Sequence, residues 1–220
     1  MINRTQLART IDATLVQNNH TMAEIMAAID AAEKYQVASL ITLPCYTSLV
    51  AGKLANSRVM TGGVLGFPWG GECTEVKVFE ALKVIRDGAK ELDMVLNLGW
   101  LASGEYDAVV DDIKAVKEAI GDTPLKVIIE APILDEEGIT KAAEIVIDSG
   151  AEYIKTATGF HGPATLQQVV LIKSVVGNDL LIKASGGIRT AEVAEAFIDA
   201  GASRLGIGMR SAIQILESIQ

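Results

Sequence analysis

The sequence predicts an α/β protein in which eight parallel strands alternate with helices and close into a barrel. Three observations lead to this fold class. Short apolar runs alternate with helical patterns along the whole chain, no Pro- or Ser-rich linker or shift in composition divides it, and one short sequence unit recurs three times. A barrel of this kind needs about 200 residues, and the chain has 220. We therefore expect one domain, residues 1–220.

The strand candidates are short and apolar on both faces, as parallel strands covered by helices should be. They lie at residues 10–13, 37–43, 59–65, 92–96, 126–129, 153–155, 180–182 and 204–207. The first long helix is predicted to begin after Thr21, because Thr21 and Glu24 have the spacing of a capping box. Further helical patterns occupy residues 74–86, 106–120, 136–148, 166–176 and 191–199.

The recurring unit places a glycine at a helix end, directly before a strand. Its three copies are residues 87–93, 149–155 and 200–206. Glycine suits the left-handed conformation in which helices often end. A repeated βα unit with no sign of a reversed strand order favours a single (β/α)8 TIM barrel over a doubly wound sheet.

Equivalent positions of the repeat identify side chains that point into the barrel. Five residues after each glycine come Asp93, Lys155 and Gly206. Because side chains alternate along a strand, Asp93 and Lys155 should point inward, whereas Leu92 and Ile154 should face the helices.

Charge and composition exclude several classes of function. The net charge of −9 and the isoelectric point near 4.8 argue against nucleic acid or an anionic membrane as the main partner. No signal peptide or transmembrane pattern is visible, so we expect a cytoplasmic protein. The four Cys and His residues lack metal-ligand spacing, and no dinucleotide or Walker motif occurs, so no metal and no cofactor are predicted.

Two lysines end apolar strands where a barrel interior normally holds Val, Ile or Leu. Lys155 and Lys183 each lead into a glycine-containing loop, whereas Lys126 begins its strand. Each lysine could simply extend to solvent or pair with an acid such as Asp93. Two ammonium groups at one rim repel each other, however, and a lysine that loses its proton becomes a nucleophile for carbonyl groups. Asp93, Lys155 and Lys183 are therefore the candidate catalytic residues.

Glycine-rich segments follow the last strands and lead into helices. Backbone N–H groups at such helix starts bind phosphate, and barrels often place that site after strands seven and eight. A tight turn between strand and helix is the alternative reading. The predicted substrate- and phosphate-binding residues are Gly159, Gly186, Gly187, Gly206, Gly208 and Arg210.

Five long motifs resemble the deoxyribose-phosphate aldolases, a family of class I aldolases that act through a Schiff base. The motifs are residues 74–81, 91–95, 125–130, 155–160 and 183–190, and the resemblance runs from about Ile11 to Ala212. It implies reversible cleavage of 2-deoxyribose 5-phosphate to acetaldehyde and glyceraldehyde 3-phosphate. It also implies that Lys155 forms the Schiff base, that Lys183 is its electrostatic partner, and that Asp93 belongs to a proton relay through water.

Several positions depart from the family pattern. Near the start, residues 12–17 differ from the usual Asp-His-Thr-Leu-Leu-Lys, residues 41–44 replace a Cys-Val-Asn-Pro-like strand end, and residues 130–132 replace Glu-Thr-Gly. The last loop usually reads Gly-x-Ser-Ser-Gly, but here it is residues 206–210, which lack both hydroxyls and end in Arg210. Arg210 could grip a phosphate with its guanidinium or could pair with a surface acid.

Three hypotheses follow from these sequence features. The first is the aldolase reaction implied by the resemblance, with a small sugar phosphate and acetaldehyde as partners. The second keeps the Schiff base but accepts a different aldehyde, for example an unphosphorylated one. The third is a barrel that binds a sugar phosphate without catalysis. Small barrels of this kind commonly associate through helical faces, so a homo-oligomer is compatible with each.

Overall fold

A computed structural model describes residues 2–219 and has a closed barrel of eight parallel strands. The strands pair in chain order, and β8 returns to pair with β1, which confirms the predicted TIM barrel. The strands are β1 Ile11–Leu15, β2 Ser39–Thr42, β3 Met60–Leu65, β4 Glu91–Val95, β5 Leu125–Ile128, β6 Tyr153–Lys155, β7 Leu181–Ser185 and β8 Arg204–Gly208.

Ten helices surround the barrel within the described residues. They are α1 Arg4–Ala8, α2 Met22–Tyr35, α3 Thr47–Lys53, α4 Thr74–Arg86, α5 Leu98–Ala102, α6 Tyr106–Ile120, α7 Glu136–Ser149, α8 Leu166–Val176, α9 Ala191–Asp199 and α10 Met209–Ser218. The capping box at Thr21 forms as predicted, with Thr21 accepting from the Glu24 backbone and the Glu24 carboxylate accepting from Thr21. No described helix has both the length and the apolar character needed to span a bilayer.

The main hydrophobic core lies between the strands and the helices. Leu92, Ile154 and Leu205 are fully buried in it, as the repeat predicted. The helix-ending glycines Gly88 and Gly150 both have positive φ, +110° and +79°, which suits a residue without Cβ.

The last strand and helix differ from the sequence-based expectation. The last strand was expected to end at residue 207 and residues 206–210 to supply a phosphate-binding loop, but β8 runs through Gly208 and α10 begins at Met209 with no intervening loop. Because Gly206 pairs with Asp12 on one side and Ser185 on the other, its backbone is part of the barrel wall. This segment therefore contributes strand backbone and a helix start, not a loop.

Candidate active site

A group of buried charged side chains fills the middle of the barrel, here called the interior charge cluster. It comprises three carboxylates, Asp12, Glu91 and Asp93, and four cationic side chains, Lys126, Lys155, Lys183 and Arg204. They come from β1, β4, β5, β6, β7 and β8, and alternation along each strand turns them inward.

Asp93 joins the two predicted catalytic lysines through one carboxylate oxygen. Lys155 Nζ and Lys183 Nζ each donate to Asp93 Oδ2 at 2.7 Å. Lys183 also lies 2.5 Å from Asp12 Oδ2, and Lys126 donates to the other Asp93 oxygen at 3.2 Å. The structure thus brings together the three residues that the sequence singled out, and adds Lys126 and Asp12 to them.

Lys155 is the lysine whose pKa falls. Burial lowers it most and the neighbouring Lys183 ammonium lowers it further, so that despite the opposing effect of Asp93 the pKa is about 8. Four cationic groups against three carboxylates leave one excess positive charge when every group is ionised. Loss of the Lys155 proton makes the cluster neutral, which agrees with the direction of the shift.

The pKa values of Asp12, Asp93 and Lys126 are shifted towards the charged forms. Burial opposes ionisation of Asp93 and Asp12, but the surrounding lysines hold the pKa of Asp93 well below its usual value and lower that of Asp12 to about 2. Burial also disfavours the charged form of Lys126, yet Asp93, Asp12 and Glu91 together raise its pKa. Arg204 reaches Asp12 through Nε at 2.8 Å and Glu91 through Nη2 at 3.0 Å. These contacts fix the base of the cluster.

A cavity of about 190 Å³ opens above the cluster at the carboxyl ends of the strands. The predicted site residues that line it are Lys155, Gly159, Gly186, Gly187, Gly206 and Gly208. Asp93, which accepts from Lys155, and Lys183, which donates to the same Asp93 oxygen, are fully buried beneath it. The Lys155 amine is thus the group of the cluster that a molecule in the cavity can reach.

Ser185 also lines the cavity and was not singled out from the sequence. Its Oγ is buried and has no hydrogen-bond partner within residues 2–219. A Cβ on Gly206 would lie 2.1 Å from Ser185 Oγ and 3.3 Å from Lys183 Cε, so glycine is required opposite them. Ser185 follows Lys183 by two positions on β7, and this spacing alone indicates that both side chains face inward.

The turn between β7 and α9 forms one wall of the cavity. Gly186 and Gly187 have φ of +97° and +78°, and a Cβ on Gly187 would lie 2.5 Å from Pro163. Thr190 caps α9, its side chain accepting from the Val193 backbone N–H, as predicted for a helix that begins there. This turn brings the backbone that leads into α9 against the cavity, where its N–H groups can bind an anion.

Arg210 does not line this cavity. It is exposed and lines a second, mainly apolar cavity of about 490 Å³ where residues of α2 and α10 meet. Ser211, its neighbour on α10, borders both cavities. The direct start of α10 after β8 therefore leaves a hydroxyl at the wall of the cavity above Lys155 and puts the guanidinium outside it.

A buried carboxylate positions the loop between β6 and α8. Glu130 has the unusual φ of +54° and accepts hydrogen bonds from the Thr158 backbone, at 3.1 Å, and from the Thr158 hydroxyl. His161 Nδ1 lies 3.3 Å from the same carboxylate. Phe160 packs edge-on against Phe67 from the β3–α4 connection, with ring centroids 5.7 Å apart. These contacts hold Thr158 at the cavity wall.

Comparison with known proteins identifies relatives over nearly the whole chain. The sequence model of the DeoC/LacD family of aldolases matches residues 7–216 of this chain. A deoxyribose-phosphate aldolase of Staphylococcus carnosus is 43% identical over 214 residues, which cover 97% of this chain and 96% of the relative.

Two solved structures agree closely with the fold. The structure described as "QR15, an Aldolase" superposes with a TM-score of 0.92 at 39% identity, covering 96% of this chain and 95% of the other. The tetrameric deoxyribose phosphate aldolase of Aeropyrum pernix superposes with a TM-score of 0.88 at 31% identity, covering 98% and 91%.

Proposed function

The chain belongs to the DeoC/LacD family of aldolases, and we propose on this premise that it cleaves 2-deoxy-D-ribose 5-phosphate reversibly into acetaldehyde and D-glyceraldehyde 3-phosphate. The observation that carries the proposal is the Lys155 amine. It ends β6 at the floor of a cavity, shares Asp93 Oδ2 with Lys183, and has a pKa of about 8. A substantial fraction of this amine is neutral near physiological pH, so it can attack an aldehyde.

The first step forms an imine on Lys155. The neutral Nζ adds to C1 of the open-chain sugar phosphate, and the resulting carbinolamine loses water to give an iminium. The departing hydroxyl needs a proton, and the Lys183 ammonium and Asp93 form the hydrogen-bonded system beside Lys155 that can move one.

The second step breaks the bond between C2 and C3. A base removes the proton of the C3 hydroxyl, C3 becomes the carbonyl carbon of glyceraldehyde 3-phosphate, and the bonding electrons move to the iminium to form an enamine. Protonation of the enamine at C2 and hydrolysis of the imine release acetaldehyde and restore the amine. Asp93, with Lys183 and a bound water, serves as the proton relay in this proposal.

The glycine turn is the proposed phosphate site. Gly186 and Gly187 lie in the turn that leads into α9, and Gly206, Gly208, Gly159 and Ser211 border the same cavity. Backbone N–H groups and a serine hydroxyl there can bind the substrate phosphate without the two hydroxyls that are usual in the last segment. Arg210 would contribute through its charge from the neighbouring cavity, or not at all.

Trapping the imine tests the chemistry. Incubation with acetaldehyde and borohydride should add one ethyl group to the Lys155 peptide, and the Lys155→Met variant should take up none. The exposed Lys114→Met variant is the matched control and should label as the unmodified protein does. Absence of an adduct at every pH at which the fold is intact would contradict the Schiff base and favour a barrel that only binds a sugar phosphate.

Comparing phosphorylated with unphosphorylated deoxyribose tests the substrate. We expect a clear preference for the phosphorylated sugar in kcat/KM. Arg210→Ala raises KM for the phosphorylated sugar alone if the guanidinium acts on the phosphate, and leaves both substrates unchanged if Arg210 is a surface residue. An unmodified enzyme without preference would overturn the phosphate assignment in favour of another aldehyde acceptor, while the imine result would stand.

The remaining parts of the proposal concern context. We propose one domain over residues 1–220 that works in the cytoplasm without cofactor or metal and with no nucleic acid partner. A homo-oligomer is supported by the tetramer described for the Aeropyrum pernix relative. Size-exclusion chromatography with light scattering would test it, and a monomer at all concentrations would contradict it.

A further inference from the structure

A third cavity, with a strongly basic lining, lies at the opposite end of the barrel from the catalytic cavity. Its volume is about 450 Å³, within the range of small-molecule sites. It is lined by Arg4, Thr5, Arg9, Lys34, Tyr35, Gln36 and Arg58. Arg9 and Arg58 lie two residues before the first residues of β1 and β3, and Lys34 lies at the end of α2, before β2. The catalytic cavity is at the carboxyl ends of the strands, so the two cavities are separate.

The four cations of this basic cavity are unusual in a chain with a net charge of −9. Arg4, Arg9, Lys34 and Arg58 all have exposed side chains. Within residues 2–219 none of the four has a carboxylate oxygen within 4.0 Å, in contrast to Lys83, Lys117 and Lys141 on the outer helices. The nearby Glu217 carboxylate accepts a hydrogen bond from the Tyr35 hydroxyl. The cavity thus gathers positive charge from three chain segments without neutralising it.

Tyr35 orients two of the cations. Its ring is nearly buried, Arg4 Cζ lies 5.2 Å from the ring centroid, and Lys34 Nζ lies 4.7 Å from it. Lys34 Nζ also donates to the Tyr35 hydroxyl at 3.1 Å. Cations held over an aromatic ring lose less freedom when a ligand binds, so this part of the cavity is already arranged for an anion.

We infer that the basic cavity binds a small polyphosphate, such as a diphosphate or triphosphate group. Three guanidinium groups offer bidentate, charge-assisted hydrogen bonds, which suit phosphate oxygens. A chain of two or three phosphates carries enough charge to satisfy four cations and fits the volume of the cavity. Four cations converge on one cavity of an acidic protein, which favours a compact anion over an extended one such as a nucleic acid.

Calorimetric titration with inorganic tripolyphosphate at fixed ionic strength tests this site. We expect one site per chain, with affinity falling from tripolyphosphate to pyrophosphate to orthophosphate. The Arg9→Gln/Arg58→Gln variant should bind tripolyphosphate about tenfold or more weakly, since it loses two charge-assisted contacts. The control Arg86→Gln/Lys114→Gln removes two exposed charges from α4 and α6 and should bind as the unmodified protein does.

Two further readouts separate this site from the catalytic cavity. Saturating 2-deoxyribose 5-phosphate should not displace tripolyphosphate, and the Arg9→Gln/Arg58→Gln variant should keep the KM of the unmodified enzyme. Displacement by the sugar phosphate, undiminished binding in that variant, or equal weakening in the control would overturn the inference.

Discussion

Two regions of the molecule bury lysine against aspartate, yet they do so with different charge balance. Between α4 and α6, Lys77 Nζ lies 2.6 Å from Asp112 Oδ2, and both side chains are fully buried. Thr74 Oγ1 donates to the other Asp112 oxygen at 2.8 Å. One cation meets one anion there, and the remaining carboxylate oxygen is satisfied by a hydroxyl.

The interior charge cluster also pairs buried lysines with carboxylates, but it has more cations than carboxylates. Three cations surround Asp93 alone, and the cluster as a whole holds four cations and three carboxylates. Lys155 is also at the wall of a cavity, whereas Lys77 lines neither of the cavities beside β8. Burial is common to both lysines, so burial alone cannot explain the reactivity that we propose for Lys155. An excess of positive charge and access for a carbonyl compound are the two features that distinguish Lys155.

Replacing each lysine in turn gives the largest expected contrast. Lys155→Met should lower kcat by about 10⁴-fold or more, as loss of a nucleophile does in other enzymes. Lys77→Met should leave kcat per folded molecule unchanged. Activity measured on samples normalised for folded protein by circular dichroism checks both. Substantial residual turnover in Lys155→Met would contradict the proposal that Lys155, unlike Lys77, is the nucleophile.

The free energy of unfolding should fall more in Lys77→Met than in Lys155→Met. Lys77→Met leaves the Asp112 charge buried without a cation, which should cost about 3–5 kcal/mol of unfolding free energy. Lys155→Met leaves three cations against three carboxylates and should cost much less. Urea unfolding of both variants, together with Lys77→Met/Asp112→Leu, checks this expectation. If the double variant recovers no stability over Lys77→Met, the loss does not come from the unpaired carboxylate.

The barrel and the positions of Asp93 and Lys155 could be predicted from the sequence. Both depend on local periodicity: the helix-ending glycine of the repeat fixes the position of Asp93 and Lys155 on their strands, and alternation fixes their direction. The end of β8 could not be predicted in the same way. The sequence placed Gly206 in the strand but ended that strand at residue 207, and only the pairing of Gly208 with Thr14 of β1 shows that it continues to Gly208.

Arg204 and Glu91 show the same limit at the base of the cluster. Each begins a strand, and only closure of the barrel brings Arg204 of β8 to Glu91 of β4, with the atoms 3.0 Å apart. Local periodicity does not reveal contacts across the barrel. The number of cations and carboxylates around Lys155 could therefore not be predicted from the sequence.

Removing Lys183 tests whether excess charge is what lowers the pKa of Lys155. Lys183→Leu leaves as many cations as carboxylates, so the pKa of Lys155 should rise from about 8. Below the pKa the neutral fraction of the amine falls about tenfold per pH unit, so the pH–rate profile should move to alkaline values and activity at pH 7 should fall about tenfold for each unit by which the pKa rises. Lys183→Arg keeps the charge and should keep the profile near its original position. An unchanged profile in Lys183→Leu would mean that burial alone sets the pKa.

The smallest expected effect concerns Ser185, the neutral group beside the cluster. Its hydroxyl has no partner in the part of the chain that the structure describes and borders the catalytic cavity, so we expect it to donate to a substrate oxygen. One neutral hydrogen bond contributes about 0.5–1.5 kcal/mol, so Ser185→Ala should lower kcat/KM roughly three- to tenfold. Thr42→Val is the matched control, because Thr42 Oγ1 is also buried without a partner but does not line the cavity. It should leave kcat/KM unchanged.

Neither substitution removes a hydrogen bond seen in the free protein, so neither should lower the unfolding free energy through a lost bond. Equal losses of kcat/KM in the two variants would show that the Ser185 effect comes from packing in the barrel. Lys155 would then be the one group at the floor of the cavity to which we assign a direct contact with the substrate.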